Sequence, residues 1–140
     1  MKYLIAVDAG TGSIRAVIFD TKGNQIASHQ REWTHLEEEG VPNSMAFDFE
    51  KNWVLTCECI KEAIKKAEIK AEDILALSAT SMREGIVLYD ENGAELWGVA
   101  NVDARASKEV KYLKENFNSI EEEFYSLILQ LQKLPQLMVH

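Results

Sequence analysis

Short apolar runs separated by glycine-containing turns open the chain. Tyr3 to Val7 is an apolar run of the kind that forms a buried strand. Ile14 to Phe19 resumes the β-branched and aromatic character after a turn with two glycines. A third run, Gln25 to Trp33, follows the turn Thr21-Lys22-Gly23-Asn24, and Ile26 is its clearest inward residue. The pattern predicts an antiparallel meander of three strands.

A helix with one apolar face is predicted next. Asp48 fits an N-cap, and the helix is expected to run to about Lys70. The apolar positions recur at spacings of four and three, which marks one buried face. They are Trp53, Cys57, Ile60, Ile64 and Ala67. Cys57 is expected to pack in the core, and because Cys57 and Cys59 point in different directions on a helix, a disulfide or shared metal site between them is not expected.

The rest of the chain predicts a strand, a hairpin and helices. The apolar run from Ile74 to Ala79 predicts a buried strand. A hairpin is predicted after it, with strands from Gly85 to Tyr89 and from Glu95 to Ala100 on either side of an Asp-Glu-Asn-Gly turn. A helix is expected from about Ala104, and apolar residues from Ile120 to Leu134 recur at helical spacing. The order predicts one α/β domain with a mixed sheet, flanking helices and a trailing helix.

Composition and charge narrow the classes of function. A chain of 140 residues can bury one hydrophobic core. The net charge of −8 argues against nucleic acid or an anionic membrane surface as a partner. No apolar run approaches the ~20 residues that cross a bilayer, so a cytoplasmic protein is expected. The histidines, His29, His35 and His140, have no partners at catalytic spacing, so neither a triad nor a metal site is predicted for them.

The strongest chemical signal is Asp8-Ala9-Gly10-Thr11-Gly12-Ser13-Ile14-Arg15. Two close glycines let backbone N–H groups approach an anion, and Thr11 and Ser13 add hydroxyl donors. Arg15 can offer a guanidinium to phosphate oxygens. Asp8, at the end of a buried strand, can hold a hydrated Mg²⁺ through water. The simplest alternative is that Gly10 and Gly12 only make a hairpin turn, but the accompanying residues favour phosphate binding.

Two familiar phosphate-binding loops do not fit this turn. A P-loop needs Gly-Lys-Ser/Thr at the start of a helix, and no lysine follows the glycines. A dinucleotide fingerprint needs three glycines that open a helix, whereas this turn leads into β-branched residues. A glycine turn between antiparallel strands, preceded by an acidic residue, is typical of the actin-like ATPase superfamily.

Two further clusters combine charge with a turn. Ser81-Met82-Arg83-Glu84-Gly85 places Arg83 and Glu84 between two apolar runs, where a polyol could satisfy both charges. Spacing alone does not distinguish this from an exposed turn with solvated charges. Asn101-Val102-Asp103-Ala104-Arg105 is the third cluster. Its residues alone favour a simpler interpretation, in which Asp103 caps the following helix and Arg105 lies on the surface.

These three clusters together resemble the FGGY family of carbohydrate kinases. The first resembles the family's phosphate motif Asp-x-Gly-Thr-x-Ser-x-Arg/Lys, the second its polyol-binding Gln-Arg-Glu, and the third an Asp-x-Arg segment. The likeness covers about residues 2–125. Residues 1–125 are accordingly interpreted as the N-terminal part of the family's first domain, and 126–140 as an atypical helical tail.

The resemblance implies a ribonuclease H-like domain and ATP-dependent phosphorylation of a small polyhydroxylated compound similar to dihydroxypentanedione, with ATP and Mg²⁺ as cofactors. Phosphates would contact Gly10, Thr11, Gly12, Ser13 and Arg15. The metal would contact Asp8. Substrate hydroxyls would contact Arg83 and Glu84, with Asp103 and Arg105 as further candidates.

The resemblance also implies missing parts. Family members are several times longer, their catalytic aspartate lies beyond the last residue here, and the adenosine-binding domain has no counterpart in this sequence. The lone chain is therefore expected to be inactive. Two alternatives stay open: a non-enzymatic ligand-binding module that self-associates through its last helix, and an actin-like ATPase piece with no role in sugar binding.

Overall fold

A mixed four-stranded sheet forms the centre of the fold in the computed structural model, which describes residues 1–116. The chain divides into two units, Met1–Ala104 and Arg105–His140. In the first unit the sheet has the order β3-β2-β1-β4. Its strands are β1 (Tyr3–Ala9), β2 (Ser13–Asp20), β3 (Gln25–Glu32) and β4 (Ile74–Ser81). The first three are antiparallel neighbours, which confirms the predicted meander, and β4 runs parallel to β1.

Helix α1 (Phe49–Lys66) packs against the sheet over β2 and β3. Asp48 is its N-cap, as predicted, and its carboxylate accepts a hydrogen bond from the Lys51 amide at 3.0 Å. The helix ends about four residues before the predicted Lys70, because Glu68 adopts a left-handed backbone conformation with φ 54°.

The predicted apolar face of α1 is confirmed at Ile60, Ile64 and Ala67, which are partly buried and pack against the core, but not over its whole length. Asn52, Cys59 and Ala63 are buried, whereas Trp53 is 68% exposed and Cys57 is only partly buried. The prediction for Trp53 and Cys57 was wrong because small residues let the helix axis approach the sheet closely, which favours Cys59 and Ala63 over bulkier neighbours. The Cys59 thiol donates to the Ile14 carbonyl at 3.5 Å, and burial raises the pKa of that thiol.

The hydrophobic core lies between α1 and one face of the sheet. It consists of alternate residues of β1 and β2, Trp33 after β3, and the two small residues of α1. The buried members are Ile5, Val7, Ile14, Ala16, Ile18, Trp33, Cys59 and Ala63. Ile26, expected to point inward, is instead 43% exposed. It lies near the start of β3, an edge strand of the described sheet, where a register shift against β2 interrupts the regular pairing.

A separate hairpin and a second helix complete the described residues. Strands β5 (Ile86–Tyr89) and β6 (Glu95–Val99) pair antiparallel, as predicted. In the second unit, α2 covers Ser107–Asn116, so it begins about three residues later than expected. The apolar stripe between residues 120 and 134 lies outside the described residues. No helix within residues 1–116 has both the length and the apolar character needed to span a membrane.

In two hairpin turns, an aspartate side chain accepts hydrogen bonds from backbone amides of the same turn. The Asp20 carboxylate accepts the amides of Lys22 and Asn24 at 2.8 and 2.9 Å, and Asp90 accepts those of Asn92 and Ala94 at 2.8 Å each. Each turn has a glycine with positive φ, 87° at Gly23 and 82° at Gly93, three residues after the aspartate. The side-chain amide of Asn24, followed by its backbone amide, lowers the pKa of Asp20 below its usual range.

Replacing Asp20 with asparagine is expected to make unfolding less dependent on pH below neutrality. A carboxylate whose folded-state pKa lies below the unfolded value of about 3.9 stabilises the fold above that value, and this contribution is lost as pH falls through the folded pKa. Urea unfolding from pH 7 downward should show a wild-type advantage that shrinks at acid pH. Glu91→Gln, which removes an exposed carboxylate of the other turn, is the control. A constant difference across the titration would contradict this account.

Candidate functional site

The first two predicted clusters and Asn101 of the third lie at one edge of the sheet in the first unit. Because β1 and β4 are parallel, the residues that follow both strands emerge at the same edge. The Met82 amide donates to the Ala9 carbonyl at 2.8 Å, which joins the turn after β4 to the end of β1. The Thr11 hydroxyl donates to Asn101 Oδ1 at 2.9 Å, which joins the glycine turn to the third cluster.

The glycine turn, Gly10–Gly12, has its carbonyl oxygens occupied by neighbouring groups. The Trp33 indole N–H donates to the carbonyls of Gly10 and Thr11 at 3.1 and 3.0 Å, and His35 Nε2 lies 2.7 Å from the Thr11 carbonyl. The Trp33 backbone amide donates to the Gly12 carbonyl at 3.1 Å. Within residues 1–116, no hydrogen bond is donated by the backbone amides of Thr11 and Gly12. An anion could therefore accept hydrogen bonds from these two backbone amides.

Asp8 and Arg15 form an ion pair with each other. They are directly opposite on β1 and β2, and Arg15 Nη2 lies 2.9 Å from Asp8 Oδ2. Both side chains are about half exposed, at 45% for Asp8 and 50% for Arg15. An exposed pair of this kind contributes only about 0–1 kcal/mol. A phosphate and its metal could therefore replace the contact at little cost.

The groups that would contact Mg²⁺ and nucleotide phosphates are the Asp8 and Arg15 side chains and the amides of the glycine turn. Within the described part of the chain, no group of three or more histidine, cysteine or acidic side chains is placed to hold a metal. Asp8 is a single half-exposed carboxylate beside the turn, and this suits Mg²⁺, which keeps several waters and shares its ligands with phosphate.

Arg83 and Glu84 lie in the turn between β4 and β5. Both are exposed, and in residues 1–116 neither makes a hydrogen bond or an ion pair. Glu84 has φ 63°, a backbone conformation that is uncommon for a residue with a side chain. Such conformations concentrate at functional sites. The structure thus presents both charged groups to solvent beside the glycine turn.

Asp103 and Arg105 differ in their surroundings. The Asp103 carboxylate accepts the Met45 backbone amide at 2.6 Å, and it thereby holds the segment before α1. The helix α2 begins at Ser107, four residues after Asp103, and not directly after it as the capping interpretation expected. Arg105 is partly buried and is the first residue of the second unit. Asp103 lies two residues after Asn101, which contacts the glycine turn. Arg105 is described only within the second unit.

Trp33 and His35 are the contributors that the sequence interpretation missed. Trp33 was assigned only to a strand, and His35 only to a loop without catalytic partners. The signal was their spacing, since residues two apart share one side of an extended chain. In the β2–β3 register, Ser13 pairs with Glu32, so the chain after Glu32 continues alongside the glycine turn.

Comparison with known proteins assigns the family. The profile of the FGGY family of carbohydrate kinases, N-terminal domain, matches residues 3–135. The chain belongs to the FGGY family of carbohydrate kinases. Autoinducer-2 kinases from Salmonella typhimurium and Escherichia coli K12 are each 56% identical to this FGGY chain over 140 residues, which is 97% of the chain and 26% of each relative. The chain therefore spans about a quarter of the length of these relatives.

Solved structures confirm the fold of this FGGY chain. Ligand-bound xylulose kinase from Lactobacillus acidophilus superposes with a TM-score of 0.73 at 20% identity, over 90% of this chain and 24% of that protein. Gluconate kinase from the same organism gives a TM-score of 0.73 at 20% identity, over 89% of this chain and 24% of that protein. The predicted fold, a partial α/β domain with a mixed sheet and the actin-like ATPase fold, is confirmed.

Proposed function

We propose that this chain provides the phosphate-binding turn and part of the substrate site of an ATP-dependent kinase. The kinase would transfer a phosphoryl group to an alcohol of a small polyhydroxylated compound. The observation that carries this proposal is the convergence, at one sheet edge, of two turns: a glycine turn whose amides have no partner within residues 1–116, and a turn with two charged side chains that are unpaired among the same residues.

In this proposal each element of the edge has a distinct role. The amides and hydroxyls of Gly10–Ser13, with Arg15, hold the nucleotide phosphates and offset their negative charge. Asp8 would hold a hydrated Mg²⁺, and the metal would supply charge stabilisation at the transferred phosphate. Arg83 donates to substrate hydroxyl oxygens, and Glu84 accepts from hydroxyl hydrogens. Asp103 is a further candidate near the substrate.

The names of the relatives support a proposal for the substrate class. Proteins named autoinducer-2 kinase are more than half identical to this chain, whereas the solved xylulose and gluconate kinases are 20% identical. A dihydroxypentanedione-like compound is accordingly the first substrate to test, and its hydroxyl groups match the donor and acceptor pair at Arg83 and Glu84.

The chain is proposed to act only with further polypeptide. Phosphoryl transfer needs a positioned base for the hydroxyl proton. This chain spans 26% of the length of the Salmonella relative. From the resemblance to the family, we place the catalytic base and the adenosine site in the part that the chain does not cover. The exposure of β4 supports the proposal that the chain acts with further polypeptide. Leu75 and Leu77 are 59% and 52% exposed, and within residues 1–116 no strand pairs with the outer edge of β4.

Complementation is expected to restore turnover that the lone chain lacks. With ATP, Mg²⁺ and dihydroxypentanedione, the chain alone should consume ATP no faster than the protein-free control. Addition of a polypeptide that covers the remaining three quarters of the Salmonella relative should produce substrate-dependent ADP release. Steady-state phosphorylation by the lone chain would show that the base lies within it.

Self-association is the second candidate function, and exposed apolar residues favour it. Besides Leu75 and Leu77, the hairpin exposes Ile86 and Leu88 at 53% and 52%. Sedimentation in the same experiment separates the candidates. A stable homo-oligomer that gains no activity from the added polypeptide would favour a binding module. A monomer that becomes active in a one-to-one complex would favour the kinase.

A further inference from the structure

Three consecutive carbonyl groups of the glycine turn point toward the segment that follows β3. The carbonyl oxygens of Gly10, Thr11 and Gly12 accept four contacts, all from Trp33 and His35. Trp33 is only 6% exposed, and its ring meets Phe47 edge to face at a centroid distance of 5.4 Å. His35 also lies against Phe47, at 6.0 Å. The donors are therefore held by aromatic packing and not only by the turn itself.

Because of the geometry of the peptide bond, the contacts to these carbonyl groups also set the direction of the neighbouring N–H groups. In a trans peptide, the C=O of one residue and the N–H of the next point in opposite directions. An inward Gly10 carbonyl therefore turns the Thr11 amide outward, and an inward Thr11 carbonyl turns the Gly12 amide outward. Glycine permits many backbone conformations, so the peptide planes of this turn would rotate easily without such contacts.

We propose that Trp33 and His35 are positioning residues that lock the peptide planes of the glycine turn so that the Thr11 and Gly12 amides face the phosphates. This inference rests on the proposed function of the turn. Without the lock, a rotated plane would present a carbonyl oxygen to the anion and replace attraction with repulsion. The carbonyl can only accept, so His35 carries its proton on Nε2. Its Nδ1 is buried without a hydrogen-bond partner within the described residues.

The first test replaces Trp33 with phenylalanine, which keeps an aromatic ring and removes the indole N–H. Trp97→Phe is the matched control, because its indole N–H lies 3.4 Å from Glu38 Oε1 and not at the turn. NMR relaxation of the ¹⁵N-labelled chain is expected to show lower order parameters at Thr11 and Gly12 in Trp33→Phe alone. Titration with sodium tripolyphosphate should then give an affinity about threefold to tenfold lower, as expected for the loss of one N–H donor that the Gly10 and Thr11 carbonyls share.

The second test compares His35→Gln with His35→Asn. The side-chain amide nitrogen of glutamine reaches about as far as imidazole Nε2, whereas that of asparagine reaches only about as far as Nδ1. Glutamine is therefore expected to preserve the order parameters and the tripolyphosphate affinity, and asparagine to lower both. A role in packing alone would affect the two variants equally. The ¹⁵N shifts of His35 in the unmodified chain should also report the Nε2–H tautomer.

The outcomes separate this proposal from the proposed function. If the unmodified chain does not respond to tripolyphosphate but Trp33→Phe and His35→Asn loosen the turn, the lock stands and the phosphate role fails. If both variants keep the order parameters and the affinity of the unmodified chain, the lock is overturned. Should Trp33→Phe fail to fold, the His35 pair decides, and an Nδ1–H tautomer contradicts the contact.

Discussion

Ile18→Ala is expected to lower the free energy of unfolding by about 3 kcal/mol, within the range of about 2–5 kcal/mol for removing a large buried aliphatic side chain. Ile18 is completely buried in the middle of β2, with β1 and β3 on either side. The alanine would leave a cavity in the buried cluster that also contains Cys59 and Ala63 of α1. Close packing of the strand and helix backbones limits how far this cavity can collapse.

Ile26→Ala is the matched control for this prediction. It makes the same chemical change on the neighbouring strand, but Ile26 is 43% exposed, so the expected cost is below about 1 kcal/mol. Urea unfolding followed by circular dichroism measures both variants, and similar slopes against urea would show that the comparison is valid. Equal losses from the two substitutions would mean that the inward and outward faces of β2 and β3 are assigned wrongly.

Arg83→Ala is expected to reduce kcat/KM for the sugar-like substrate by about 10- to 150-fold in the complemented kinase. This range corresponds to about 1.5–3 kcal/mol for a hydrogen bond to a charged group. Arg83 is exposed and makes no hydrogen bond or ion pair within residues 1–116, so its removal should leave the fold intact. The KM for ATP should change little, because the phosphates are assigned to the glycine turn.

Arg31→Ala controls for the loss of a positive charge. Arg31 is about half exposed on β3 and lies 3.9 Å from Glu58, away from the proposed substrate site. It is expected to leave both kinetic constants near those of the unmodified chain. Equal effects of Arg83→Ala on ATP and on the sugar-like substrate would contradict the separate roles. An unchanged kcat/KM would remove Arg83 from the substrate site and revive the alternative of an exposed turn with solvated charges.

Sequence patterns located the chemically important turns because those patterns are local. The glycine turn follows from two glycines between β-branched runs, and the Asp48 cap from an acidic residue before an amphipathic run. The same local reasoning was wrong where a residue's environment depends on distant chain segments. Ile26 and Trp53 have apolar side chains and suitable spacing, yet both are exposed, because the final strand register and the helix rotation place other residues inward.

The sequence by itself determined the order of the strands and helices, the family, and the residue types available for phosphate and polyol binding. Only the tertiary structure decided which of these residues meet. It pairs Asp8 with Arg15 across two strands, and it brings the turn after β4 beside the turn after β1 through parallel pairing. It also places Trp33 and His35 behind the glycine turn. These contacts join residues up to 90 positions apart, as between Thr11 and Asn101, and no local pattern encodes such a separation.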